Sequence, residues 1–403
     1  MPVTTQEIQA NEASQAAELA PDTSWKNSSH IAELDGLRAI AIVLVLVWHY
    51  FAIPLPERAL FVPIKHFLSI GRSGVDLFFV LSGFLITRIL IMNRNETRFF
   101  SVFYARRALR IWPPYIVLLI VFGVGYHAGW RHDDYDPGPV PFMSYVFFVQ
   151  NFFMSKAAAY GSGMMSPTWS LAVEEQFYLV FPLFVRFLDV RALRRVLIAA
   201  IIIAPLGRAA IYLVFRNHMA VYTLMPLRAD ALAVGGLIAI FSITSGQIFL
   251  DWRRRIGQLF AAMLLASPLA GFAMSLDLPG NAATWGYAWW TAFYGVGVFT
   301  VIAYQGHRNM QWLRSRIARG VALISYSAYL FHTLILHEML ARFLPTEGGQ
   351  KYVVGGILII LSLAITVALT AAMYVAIERH CIAFGKTLKY HGVGPDFRLF
   401  QRR

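Results

Sequence analysis

Residues 37–53 read Leu37-Arg38-Ala39-Ile40-Ala41-Ile42-Val43-Leu44-Val45-Leu46-Val47-Trp48-His49-Tyr50-Phe51-Ala52-Ile53. As a helix this run is apolar and long enough to cross most of a bilayer. Arg38 and His49 are the exceptions. An ionisable group at membrane depth is costly, and where it survives it lines a pathway or a reaction site. The two are eleven positions apart. At 100° per residue that is about 20° past three full turns, so both side chains share one helix face, about 16 Å apart along the axis. One polar face at two depths predicts a cavity running through a membrane-embedded bundle.

The rest of the chain agrees. Its 403 residues are 58% hydrophobic and only 14% charged, with a mean hydropathy of +0.56. Soluble domains carry about a quarter charged residues, so the expected class is an all-α, polytopic integral membrane protein. The net charge of +13 would suit nucleic acid, but the basic residues lie between apolar runs rather than in one patch with aromatics, which argues against that partner. Cys381 is the only cysteine, so no intrachain disulfide can form.

About ten spans are read at residues 37–53, 74–91, 113–129, 171–188, 196–214, 228–246, 257–275, 285–304, 320–341 and 352–379. The aromatic stretch 142–153 is too short to span and is read as interfacial or re-entrant. Residues 1–33 are expected as a disordered cytoplasmic tail, 34–380 as the transmembrane domain and 381–403 as a basic cytoplasmic tail. Arginines then fall on the inner loops, at 94–110, 186–195, 253–255 and 308–319, with both termini cytoplasmic. The outer loops hold Asp133, Asp134 and Asp136, expected as a solvated group. Depth counting puts His49, Asp76, Ser82, Glu174, Arg228, Asp230 and His332 in the outer half, with Arg38, Arg106, Arg107 and Arg110 at the inner edge.

Several groups could carry chemistry. His49 can take a proton from a hydroxyl near neutral pH; the bland alternative is a histidine satisfied by a neighbouring helix. His332, in the polar stretch Ser325-Tyr326-Ser327-Ala328-Tyr329-Leu330-Phe331-His332, is its understudy. Glu174 and Glu175 point about 100° apart, so at most one faces a given site, and Tyr178 stacks one turn below Glu174. Glu174 beside His49 would fix its tautomer; the alternative is an acidic helix start. Arg106 and Arg110, spaced i, i+4, form an anion clamp if helical, suited to a phosphate-bearing cytosolic donor. A positive-inside anchor for lipid headgroups fits the same arginines. His332 and His337 lack zinc spacing, so no metal is expected. His30 with Asp35 gives only a weak H-x4-D match. Gly235-Gly236, Gly295 and Gly297 read as sites of close helix packing.

The segments Leu34-Asp35-Gly36-Leu37-Arg38-Ala39 leading to His49-Tyr50, and Gly74-Val75-Asp76-Leu77-Phe78-Phe79-Val80-Leu81-Ser82-Gly83-Phe84-Leu85-Ile86, resemble the acyltransferase-3 family of bacterial membrane O-acyltransferases. So do Arg106-Arg107 running into Pro113, the block from Trp169 to Tyr178, Arg228-Ala229-Asp230-Ala231-Leu232, and the block from Ser325 to His332. The resemblance covers about residues 33–380. It implies ten core helices in the bacterial inner membrane. It also implies transfer of an acyl group, acetyl by default, from acyl-CoA to a hydroxyl. The acceptor would be a cell-envelope carbohydrate or lipid-linked glycan, or in some members a small natural product. No permanently bound cofactor is implied, and membrane lipids are the remaining partner.

By the same resemblance Arg38, His49 and Glu174 are catalytic, and Arg38, Arg106, Arg107 and Arg110 bind the donor. Asp76, Ser82, Trp169, Ser170, Tyr178, Arg228, Asp230 and His332 bind the acceptor or support the site. Direct transfer and an acyl-histidine route both remain open. The competing class is a proton-coupled transporter or exporter of a glycan or lipid-linked substrate, which predicts inverted repeats and broken helices in matching positions.

Overall fold

A computed structural model of the chain describes residues 31–54, 61–128, 138–276, 278–344 and 351–391. The polar N-terminal stretch up to His30, the acidic group Asp133, Asp134 and Asp136, and the tail from residue 392 lie outside them. Among the described residues the structure is helical, with no strand.

Ten long helices carry the fold: α1 Ala32–Val47, α2 Gly74–Met92, α3 Phe99–His127, α4 Thr168–Phe187, α5 Val190–Phe215, α6 Ala229–Thr244, α7 Gln247–Leu276, α8 Tyr287–Ala303, α9 Arg316–Phe343 and α10 Lys351–Met373. Each stretch expected as a span falls on one of them. By length and composition, seven helical stretches among the described residues can cross a membrane, those containing α1, α2, α3, α5, α7, α9 and α10. The helices α4, α6 and α8 do not meet the same standard. Helix α6 is apolar but has only 16 residues, and α4 carries Glu174, Glu175 and Gln176 along its middle.

Local chemistry sets the helix ends. Asp189 caps α5, its carboxylate accepting from the Ala192 N–H at 2.6 Å, and Ser315 caps α9 through the Ala318 N–H. Hydrogen bonding to that N–H holds the exposed Asp189 carboxyl below its ordinary range. Ala32 and Glu33, expected in the tail, already belong to α1. Buried Glu33 accepts from the Gly306 N–H and lies 3.5 Å from Arg314. At the other end, a helix at Arg379–Thr387 extends into the expected basic tail.

A further expectation about element boundaries changes. Helix α3 begins at Phe99, not at residue 113, and runs through Pro113 and Pro114. The missing proline N–H groups deprive the Leu109 and Arg110 carbonyls of their usual helical donors; one position along, the Tyr326 hydroxyl donates to the Ile111 carbonyl. The arginines of this segment therefore ride into the helix instead of ending before it. The aromatic stretch forms two short helices, Phe142–Val146 and Gln150–Ala157. Neither is long enough to cross a bilayer.

The centre of the bundle is α2, most of whose residues are buried, whereas few of those of α5 and α7 are. It packs tightly on α6. A methyl group on Gly83 would strike the Leu232 carbonyl, and one on Gly235 the Val80 carbonyl. Those two glycines let the backbones touch. Helix α1 packs on α2 and α9, and α9 on α10. On the rim, Val214 and Phe215 of α5 and Leu265 and Leu269 of α7 are exposed. Hydrocarbon wets such a surface at no cost, whereas water does not.

Candidate active site

At the end of α1 the helix loosens. Trp48–Ala52 forms a π-helical turn, and His49 sits in it. Such turns interrupt the regular ladder and are frequent at functional sites. The His49 Nδ1 lies 2.9 Å from the Val45 carbonyl. A carbonyl can only accept, so Nδ1 carries the hydrogen and Nε2 keeps the lone pair. Tyr50, next in the turn, is fully buried. It donates to the His332 carbonyl and pairs with Thr366, tying α1 to α9 and α10.

His332 is the neighbour of His49. Their ring centroids are 4.5 Å apart, edge to face. His332 is fully buried, its Nδ1 bonded to the Tyr329 carbonyl, and its Nε2 has no partner among the described residues. Two imidazoles with matched tautomers thus meet where α1 and α9 pack. Glu174 is elsewhere. Neither a hydrogen bond nor an ion pair joins it to His49 among the described residues, contrary to the expectation that it orients the imidazole.

Glu174 faces a cavity of about 100 Å³, whose wall includes Arg38, Ser82, Arg107, Arg110, Tyr178 and Tyr329. Ser82 Oγ donates to Glu174 Oε1 at 2.5 Å, and the Tyr178 hydroxyl donates to Oε2 at 3.1 Å. Tyr178 is one turn from Glu174 on α4, so that pairing was legible in the spacing. Ser82 and Glu174 were expected in the half holding His49; they share a cavity with Arg38 instead. Arg107 and Arg110, inside α3 because it starts early, line the same cavity.

The positive charge here is only partly balanced. Arg38 approaches Asp35 at 3.7 Å, and Arg107 lies over the Tyr178 ring at 5.8 Å. Arg107 and Arg110 have no carboxylate within ion-pair distance among the described residues. Three guanidinium groups against Glu174 and the more distant Asp35 leave positive charge that could hold an anion. Arg106 is not part of it. It donates to the Gly385 and Leu388 carbonyls and stacks on Tyr390. The i, i+4 clamp of Arg106 with Arg110 is therefore replaced by the i, i+3 pair Arg107 and Arg110.

The cavity connects to the histidines through one residue. Tyr329 lines it, bonds Ser170 at 2.5 Å, and places its ring 5.9 Å from His332. Ser170 is thereby brought to the site. Trp169 instead packs on Phe79 and Tyr222.

Asp76, Arg228 and Asp230 form a separate group with Arg208, which the sequence reading did not single out. Arg228 Nη2 meets Asp76 Oδ1 at 2.5 Å, and Arg208 grips both oxygens of Asp230 at 2.9 and 2.7 Å. All four side chains are almost fully buried. A charge midway along the apolar helix α5 was the available signal for Arg208. Glu378 was missed as well; it is buried in a π-helical turn after α10 and accepts from Ser327 at 2.6 Å.

No group of histidine, cysteine and acidic residues among those described could hold a metal ion. Among known proteins, the acyltransferase domain family matches residues 31–376. The chain is 31% identical over 229 residues to a predicted O-acetyltransferase of Staphylococcus aureus strain COL, over 54% of this chain and 36% of that protein. With O-acetyltransferase OatA of Staphylococcus aureus strain NCTC 8325 it shares 27% identity over 330 residues, 76% of this chain and 51% of the relative. The chain thus spans about a third to a half of the length of these curated relatives. No solved structure matches it. The match from residue 31 to residue 376 takes in the histidine turn, the arginine cavity and the helices that can cross a membrane, and on it the chain is a multi-pass membrane protein of the acyltransferase-3 family.

Proposed function

We propose that the chain is a membrane O-acyltransferase that moves an acyl group, acetyl by default, from cytosolic acyl-CoA to a hydroxyl of a cell-envelope carbohydrate. The observation that carries this reading is the partly balanced cavity of Arg38, Arg107 and Arg110, with Arg38 on the helix that leads into the turn of a histidine with a fixed tautomer. Arg38, Arg107 and Arg110 hold the phosphates of the donor. Arg106 is left to bind the C-terminal segment.

His49 Nε2 takes the proton of the acceptor hydroxyl. The oxygen attacks the thioester carbonyl, the C–O bond forms, the C–S bond breaks, and the departing thiolate takes the proton back from the imidazolium. His332 borders the imidazole and Tyr329 links it to the donor cavity. Glu174 acts through Ser82 and Tyr178 and sets the charge around the arginines. In this reading the ten long helices all lie within a bacterial inner membrane, α4, α6 and α8 sheltered by their neighbours, with both termini cytoplasmic.

The test is thiol release from acetyl-CoA by purified protein in nanodiscs, with and without an envelope glycan extract. Release should need the extract and should fall by about 10²–10⁴-fold in His49→Ala, the range for loss of a general base. Release from His49→Ala at the wild-type rate would end the assignment.

A further inference from the structure

A second cavity, of about 40 Å³, opens between α2, α7 and α8; Arg72, Asp76, Tyr222, Arg228, Tyr287 and Trp290 are among its lining residues. Val75 lines both cavities, so one side chain stands between them. Arg228 is 1% exposed, and its Nε and Nη1 have no acceptor among the described residues, only Nη2 being engaged by Asp76. Its guanidinium lies 4.0 Å over the Tyr287 ring.

Arg72 stacks on Trp48 at 4.8 Å, beside His49 in the π-helical turn. No carboxylate pairs with Arg72 among the described residues. Arg208 and Asp230 cancel one another nearby, which leaves Arg72 and Arg228 facing Asp76 alone. One positive charge is in excess, and buried guanidinium donors without acceptors are costly.

We propose that this cavity is a subsite for the anionic group of a charged sugar, a carboxylate or a phosphate carried by the acceptor. The inference rests on the reading that His49 acts on an acceptor hydroxyl. A volume of about 40 Å³ has room for roughly three water-sized particles, which suits one oxyanion group and not a whole ring. The oxyanion takes hydrogen bonds from Arg228 and Arg72. Because Arg72 rests on the residue before His49, an anion held there brings the other hydroxyls of the same sugar towards the imidazole. A neutral sugar would leave the donors unpaired, so the cavity discriminates by charge.

The experiment measures binding of glucose, glucuronate, glucose 6-phosphate and inorganic phosphate to the whole chain in nanodiscs. Wild type is compared with Arg72→Gln and Arg72→Lys, and thiol release with each sugar is recorded in parallel. At least one charged sugar should bind about tenfold tighter than glucose. Arg72→Gln should erase that preference without changing glucose binding, and Arg72→Lys should keep part of it. Glucuronate ahead of glucose 6-phosphate would make the group a carboxylate, and the reverse a phosphate. Equal binding of charged and neutral sugars, a preference that survives Arg72→Gln, or binding of inorganic phosphate alone would overturn the subsite. Thiol release without charge preference would remove the subsite and leave acyl transfer standing. An Arg72-dependent preference with no thiol release from any acceptor would keep the subsite and count against acyl transfer.

Discussion

Arginine is used in two ways in this bundle. At Arg208 the charge is answered: two parallel hydrogen bonds to Asp230 and one to the Leu227 carbonyl, all out of water. In the cavity of Arg38, Arg107 and Arg110, three guanidinium groups surround Glu174, whose oxygens already accept from Ser82 and Tyr178. Burying a charge is tolerated when it is paired and hydrogen-bonded. The first arrangement therefore holds helices together. The second leaves positive charge without close carboxylate partners, which is the charge the proposed donor would use.

Breaking the closed pair should give the largest effect. Asp230→Ala strands Arg208 in an apolar surround and should destabilise the fold by about 3–5 kcal/mol. The readout is the loss of monodisperse protein after extraction and a lowered melting temperature. A stable Asp230→Ala protein would mean that Arg208 reaches water. Opening the second arrangement should change function and leave the fold alone. Arg38→Gln should raise the KM for acetyl-CoA about tenfold with an unchanged melting temperature. A drop in melting temperature with a normal KM would move Arg38 into the structural class. The smallest effect is expected from Ser82→Ala, which removes one hydrogen bond from Glu174. Turnover should fall by up to about tenfold with KM for the donor little changed.

The same contrast shows how far the sequence could be read. Periodicity and apolar run length placed ten helices, because burial in hydrocarbon or against a neighbour leaves a continuous apolar signature. Contacts within one helix were legible too: Tyr178 on Glu174 follows from a spacing of one turn. Contacts between helices were not. Arg208 and Asp230 sit on α5 and α6, and nothing in either run states which faces meet. Which of Arg106 and Arg107 turns to the cavity depends on how α3 is rotated, and one residue changes the direction by 100°. His49 was singled out as an ionisable group in an apolar run, with Glu174 expected beside it; the ring that lies beside it belongs to His332. His332 lies more than 280 positions along the chain, and only the packing of α1 on α9 brings the two rings together. The π-helical turn at Trp48–Ala52 shifts the local phase as well, which no regular 3.6-residue count anticipates.

The most direct measurement is acetyl-CoA binding by calorimetry, in nanodiscs, to wild type, Arg107→Gln and Arg106→Gln. These neighbours carry the same charge on the same helix and differ in where they point. If the partly balanced arginine cavity holds the donor, Arg107→Gln should weaken binding by about tenfold or more, and Arg106→Gln should bind as wild type does. Equal loss in both variants would reduce the cluster to a general positive surface, and full affinity in Arg107→Gln would contradict the account.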